Sequence, residues 1–151
     1  MKLSQDFQDL LVLLNQHSVR YLVVGGYATS IHAVPRYTKD IDIWVERSPE
    51  NAKALLAALH AFGFGSLGLT ADDFQTDDTI VQLGYEPNRV DLLTSLKGVE
   101  FASCYERRLE AEVEGIQVPF IASPDLISNK TAVGRSQDIA DIEQLKQYLE
   151  P

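Results

Sequence analysis

The sequence predicts an α/β or α+β fold with a mixed β-sheet flanked by helices. Three observations carry that prediction. Segments of helical period alternate with short β-branched runs from the start of the chain, two later pairs of strands are joined by tight turns, and serine, proline and glycine signals separate the elements.

Phe7, Leu10, Leu11 and Leu14 recur at helical spacing, and His17-Ser18 ends that run before Tyr21-Leu22-Val23-Val24, a short strand. Gly25-Gly26 closes the strand, and a second helix is expected at once through Ala28, Ile31 and Val34 until Pro35 stops it. Asp40 to Val45 reads as the second strand. Ser48-Pro49-Glu50 supplies an N-cap, a proline at the first helical position and an acid in the first turn, so a helix runs through Leu55, Leu56 and Leu59 to the stop at Gly63. Residues 65–78 show no strong period and read as a loop with a short helix at Ala71-Asp72-Asp73-Phe74. Residues 79–85 and 89–93 are then strands joined by a turn at Glu86-Pro87-Asn88, and residues 109–113 and 116–121 form a second hairpin about Glu114-Gly115. Ser123-Pro124-Asp125 repeats the cap signature for a helix ending at Gly134, and Ser136 caps a last helix whose Ile139, Ile142, Leu145 and Leu149 make one apolar stripe.

With 151 residues, 45% hydrophobic and 23% charged, the chain suits one soluble domain over residues 1–151. No apolar run approaches the roughly 18 residues of a membrane span, and the first residues lack a secretory signal, so a cytoplasmic location is the expectation. Cys104 is the single cysteine. It excludes an intrachain disulfide or a cysteine metal site and reads as a packed small hydrophobe. His17, His32 and His60 lack metal-ligand spacing. A formal charge of −9 argues against a broad basic face for duplex nucleic acid, while leaving room for a local basic pocket.

The chemistry is concentrated in Val23-Val24-Gly25-Gly26, the thirteen residues from Tyr27 to Lys39, and Asp40-Ile41-Asp42-Ile43-Trp44. Residues i and i+2 of a strand share a face about 6.5–7 Å apart, so Asp40 and Asp42 reach one small cluster of cations while Ile41 and Ile43 face the core. Glycines at a strand-to-helix junction let the backbone approach phosphate oxygens, and the helix that follows aims its free N–H groups at them. Magnesium prefers hard oxygen ligands and is held by one or two carboxylates plus substrate phosphates. Trp44 shares the acid face, where it either stacks on a base or, more in keeping with a large aromatic, packs under a neighbouring loop.

This glycine pair, gap and Asp-Ile-Asp-Ile strand resemble the signature of the nucleotidyltransferase superfamily with the polymerase-beta-like fold, and Asp91 fits its third strand carboxylate. Gly-Gly-Tyr-Ala followed by Arg36-Tyr37-Thr38-Lys39-Asp40-Ile41-Asp42 looks most like the minimal bacterial group related to AbiEii-type abortive-infection toxins and to antibiotic nucleotidyltransferases. The tail from Asn129 to Ile142 is similar to that group's lysine-bearing helix and the acidic helix start after it. The resemblance implies transfer of a nucleoside monophosphate from a nucleoside triphosphate to an acceptor, with two Mg2+ ions on Asp40, Asp42 and Asp91. It also implies triphosphate contacts from Gly25, Gly26, Arg36, Thr38, Lys39 and Lys130. The acceptor stays open among a small molecule, a protein and an RNA end, the last served by a basic strip from Arg107-Arg108 and Lys130 to Arg135. An inactive module or toxin–antitoxin component that binds a partner is the competing reading, and a homodimer or an antitoxin-like partner is compatible with either. On this view Asp42 is an exposed metal acid whose loss leaves stability unchanged.

Overall fold

The computed structural model describes residues 1–35 and 37–149. Strands β1 (Tyr21–Val24), β2 (Asp40–Val45), β3 (Ile80–Leu83), β4 (Arg89–Leu93), β5 (Leu109–Val113) and β6 (Ile116–Phe120) form one sheet in the order β3-β4-β2-β1-β6-β5. The sheet is mixed: β2 is parallel to β4 and β1 to β6, whereas the β1–β2, β3–β4 and β5–β6 pairs are antiparallel. Around it stand α1 (Gln5–Gln16), α2 (Gly25–His32), α3 (Pro49–Phe62), α4 (Phe101–Glu106), α5 (Ser123–Val133) and α6 (Ser136–Gln147). No helix among the described residues is long and apolar enough to cross a membrane.

Local signals set the first half of this architecture. The Ser4 hydroxyl accepts the Phe7 N–H at 3.2 Å and starts α1, which buries Phe7, Leu10, Leu11 and Leu14. Ser48 accepts the Asn51 N–H at 3.1 Å, Pro49 fills the first turn, and Gly63 ends α3 at φ 110°. Asn51 then ties three elements together. Its amide oxygen accepts the Arg20 N–H at 2.7 Å, and its amide nitrogen donates to the carbonyls of Arg20 at 3.0 Å and Glu46 at 2.9 Å. That clamp holds the start of β1 and the end of β2 at one level. The two strands pair from Tyr21 with Val45 to Val24 with Asp42.

Alternation along β2 separates core from chemistry. Ile41, Ile43 and Val45 are buried on one face, on the side where the Tyr21 hydroxyl donates to Asn15 of α1. Asp40, Asp42 and Trp44 occupy the other. Trp44 is fully buried there, edge-on to Phe101 with ring centroids 5.2 Å apart, and its indole N–H has no hydrogen-bond partner. It packs under a neighbouring segment, as a large aromatic does.

Several local expectations need correction. Helix α2 stops at His32, whose ring reaches the Ile121 carbonyl at 2.7 Å, so Val34 is left outside it and 44% exposed. Residues 65–78 contain two 3-10 turns, Gly65–Leu67 and the expected Ala71–Phe74. Ser123 is the first residue of α5 rather than its cap, and Arg135 rather than Ser136 stands at the N-cap of α6. The apolar stripe on α6 faces the core only in part, with Leu145 fully buried, Ile142 half-buried, and Ile139 and Leu149 exposed. Asp138, Asp141 and Leu145 turn inward and Ile139 is 56% exposed, because the buried ammonium of Lys130 takes its counter-ions from this helix. Helix α4 escaped the periodicity reading because it has under two turns and one fully buried residue. That residue is Cys104, packed as a small hydrophobe, with burial pushing its thiol up to about 11.

The Trp44–Phe101 contact is what seats α4 on the sheet. Phe101→Ala is expected to lower stability by about 2 kcal/mol and to red-shift the emission of Trp44, the one tryptophan, as water reaches the indole. Urea denaturation followed by fluorescence checks both; an unchanged midpoint and spectrum would show that α4 is held elsewhere.

Candidate active site

Parallel pairing of β2 and β4 sets Asp42 beside Asp91 and Asp40 beside Arg89. Side chains in register on neighbouring strands share a face, so the sheet gathers three carboxylates at one point. One oxygen from each of Asp40, Asp42 and Asp91 lies within 4.8 Å of the others. Asp91 is buried, and Asp40 and Asp42 are half-buried. The acids are partly neutralised by Arg89. Its Nε donates to Asp91 Oδ1 at 2.9 Å, and its Nη2 donates to Asp91 Oδ2 at 3.1 Å and to Asp40 Oδ2 at 2.9 Å. Among the described residues Arg89 is the one base hydrogen-bonded to these acids, and it does not balance all three. Burial, followed by the charges of Asp40 and Asp91, pushes Asp42 up to about 7 against the pull of Arg89. Burial also raises Asp91, with the Arg89 hydrogen bond acting the other way.

Gly25 is tied to this cluster by shape. A Cβ there would lie 2.1 Å from Asp42 Oδ2, and its φ of +68° is one that side chains rarely adopt. The glycine therefore allows the start of α2 to approach the carboxylate. Val24 stands at the N-cap of α2 with no side-chain hydrogen bond to its first N–H groups.

A cavity of about 560 Å³ opens beside Asp40 and Asp42. Gly25, Gly26, Thr38, Lys39 and Lys130 line it, so the structure brings together every predicted contact except Arg36, which falls outside the described residues. The Thr38 hydroxyl is buried without a hydrogen-bond partner, and Lys39 is an exposed side chain 3.8 Å from Glu86. Lys130 is neither a solvated helix face nor a free cation. It is 6% exposed, with Nζ 2.9 Å from Asp141 and 3.6 Å from Asp138, and Arg135 in turn donates to Asp138 at 2.8 Å.

Glu86, Asp138, Asp141 and Arg89 were not picked out as site residues from the sequence. Arg89 could have been, since it stands two residues before Asp91 on one strand and so shares its face. The basic strip is also corrected. Arg107 is held by Asp125 at 2.8 Å, Arg108 by Glu110 at 2.7 Å and Arg135 by Asp138, so these guanidinium groups already carry acid partners.

Among the described residues, Asp40, Asp42, Glu86, Asp138 and Asp141 line the cavity against Lys39, Lys130 and Arg135, five acids to three bases. Such a pocket repels a bare polyanion and attracts a cation. Oxygen-only ligands and a divergence under 5 Å fit a hard divalent ion such as magnesium.

Asp42 is half-buried beside two acids rather than exposed, so its substitution is expected to change stability. An unfolded chain releases the Asp42 proton near the ordinary value of 3.8 and the folded one near 7. The folded state therefore binds more protons between these values, and the contribution of this carboxyl to stability falls as pH rises through them. Without divalent ions, Asp42→Asn should raise stability at pH 8 by about 1–2 kcal/mol, a shift of a few degrees, and much less at pH 5. Thermal denaturation at the two pH values checks this, and a larger gain at pH 5 contradicts it.

The fold is shared with ANT(2'')-Ia in complex with adenylyl-2''-tobramycin, at TM-score 0.56 and 15% identity over 95% of this chain and 87% of that one. It is shared with the lincosamide antibiotic adenylyltransferase LnuA in its lincomycin-bound structure, at TM-score 0.58 and 12% identity over 97% and 98%. A third likeness is to an antigenic nucleotidyltransferase-like protein from Paracoccidioides brasiliensis, at TM-score 0.57 and 19% identity over 97% and 77%. No curated protein matches the sequence. Residues 1–148 match the family described as nucleotidyltransferase of unknown function (DUF6036), and the chain belongs to that family.

Proposed function

We propose that the chain acts as one domain that transfers a nucleoside monophosphate from a nucleoside triphosphate to an acceptor hydroxyl, releasing pyrophosphate. The observation that carries this reading is the convergence of Asp40, Asp42 and Asp91 next to a cavity that also receives the Gly25-Gly26 helix start and Lys130. Asp40, Asp42 and Asp91 would hold magnesium, two ions in the full site, which when bound polarises the phosphates and the acceptor hydroxyl.

The remaining steps belong to the protein's own groups. Gly25 and Gly26 present backbone N–H groups to phosphate oxygens without side-chain bulk. Lys130, held in place by Asp138 and Asp141, offers its ammonium to the triphosphate, and the unpartnered Thr38 hydroxyl offers a donor beside it. Lys39 adds charge at the cavity rim, and Arg36 belongs to the same segment as Thr38 and Lys39. The acceptor oxygen bonds to the α-phosphorus while the bond to the bridging oxygen breaks, and pyrophosphate leaves with that electron pair. Asp91, ionised beside the bound metal, would take up the hydroxyl proton.

Adenylyltransferases that share the fold were solved with adenylyl-tobramycin and lincomycin, which favours a small hydroxylated acceptor. The charge of −9 and the acid partners of Arg107, Arg108 and Arg135 count against an RNA end.

Calorimetric titration with each of the four ribonucleoside triphosphates, with and without magnesium, tests the proposal. Binding is expected only with the metal and is expected to drop at least about tenfold in Asp40→Asn and Asp42→Asn. Equal binding without magnesium would overturn the assignment. No binding of any triphosphate would leave the inactive, partner-binding module as the better reading.

A further inference from the structure

Arg89 has no part in the chemistry above, yet it sits at the centre of the acid cluster. Its guanidinium spends three hydrogen bonds on both oxygens of Asp91 and on Asp40 Oδ2. These belong to the carboxylates that would ligate a divalent cation. The placement is built into the sheet, since Arg89 is the register partner of Asp40 and its strand is anchored by buried Val90 and Leu92. A second acid waits on the turn before β4, with Glu86 Oε1 3.7 Å from Nη1. The fork of a guanidinium matches a carboxylate in two places, so Arg89 holds Asp91 more firmly than a point charge would.

We propose that Arg89 competes with the divalent cation for Asp40 and Asp91, making cation binding conditional on the triphosphate. This rests on the function proposed above. While the nucleotide is absent, a free cation meets oxygens already engaged and a positive charge among them, and Arg89 keeps three repelling carboxylates together. A cation arriving with a triphosphate brings phosphate oxygens as further ligands, and those phosphates together with Glu86 offer the guanidinium other anions to hold. The two ligands therefore bind with positive coupling, and the acids do not fill with free metal. Arg89 is a positioning residue in this scheme.

Manganese(II), followed by electron paramagnetic resonance, reads the coupling without any turnover. With Mn2+ alone, Arg89→Met is expected to bind about tenfold more tightly than the unmodified chain, since one positive charge a few ångströms from the ion has gone. Arg89→Lys, which keeps the charge and loses the fork, should gain less in the same direction and serves if the methionine variant does not fold. With the preformed Mn2+–tripolyphosphate complex as ligand, the advantage of both variants should shrink or reverse. A purely structural arginine would give the opposite sign, with weaker Mn2+ binding in both variants. Equal or weaker binding of Mn2+ alone by the variants overturns the proposal and leaves the nucleotidyltransferase reading intact. Absence of Mn2+ binding in every protein, with and without tripolyphosphate, overturns both.

Discussion

The parallel pairing of β2 with β4 places Asp42 beside Asp91 and Asp40 beside Arg89, so three acids and one base share a few ångströms of a partly buried sheet face. Carboxylates this close repel strongly when desolvated, and a single arginine offsets only part of that repulsion. Burial first, and then the repulsion that remains, raise the Asp42 and Asp91 carboxyls. A strained charge balance of this kind costs the fold stability, and a bound divalent cation would relieve it. The rest of the structure is organised to tolerate it: the opposite face of β2 buries Ile41, Ile43 and Val45, and Gly25 withholds a side chain where Asp42 needs room.

A second charged layer sits across the cavity on α5 and α6. Lys130 is buried, and a buried ammonium without partners would be far more costly than one held by acids. Asp138 and Asp141 supply those partners, and Arg135 closes the chain of charges at the surface. This requirement decides the rotation of α6. The helix turns Asp138 and Asp141 inward together with Leu145 and leaves Ile139 in solvent, so it follows hydrophobic periodicity only in part. The same contacts that dock α6 thus hold a cation at the cavity wall.

Elements with strong local chemistry were legible from the chain. Helix α3 follows from Ser48, Pro49 and Gly63, and α1 from its apolar spacing, because caps and periodicity act within a few residues. Both hairpins follow from alternation and turn residues. The C-terminal end of α2 and the existence of α4 were not legible. His32 ends α2 by reaching Ile121, eighty-nine positions away, and α4 is held by Phe101 against Trp44. Propensity carries no information about partners so distant in the chain.

The division at the site is similar. By itself the sequence determined that Asp40 and Asp42 share a face, since strand geometry repeats every two residues, and that glycines stand where a strand meets a helix. Family likeness added Asp91 and Lys130. Only the tertiary structure decided that Asp91 stands in register with Asp42, that Arg89 bridges two of the acids, and that Lys130 is spoken for by Asp138 and Asp141. Strand order and helix docking are set by the collective burial of the core, and short-range patterns do not encode which charge will face which from one element to another.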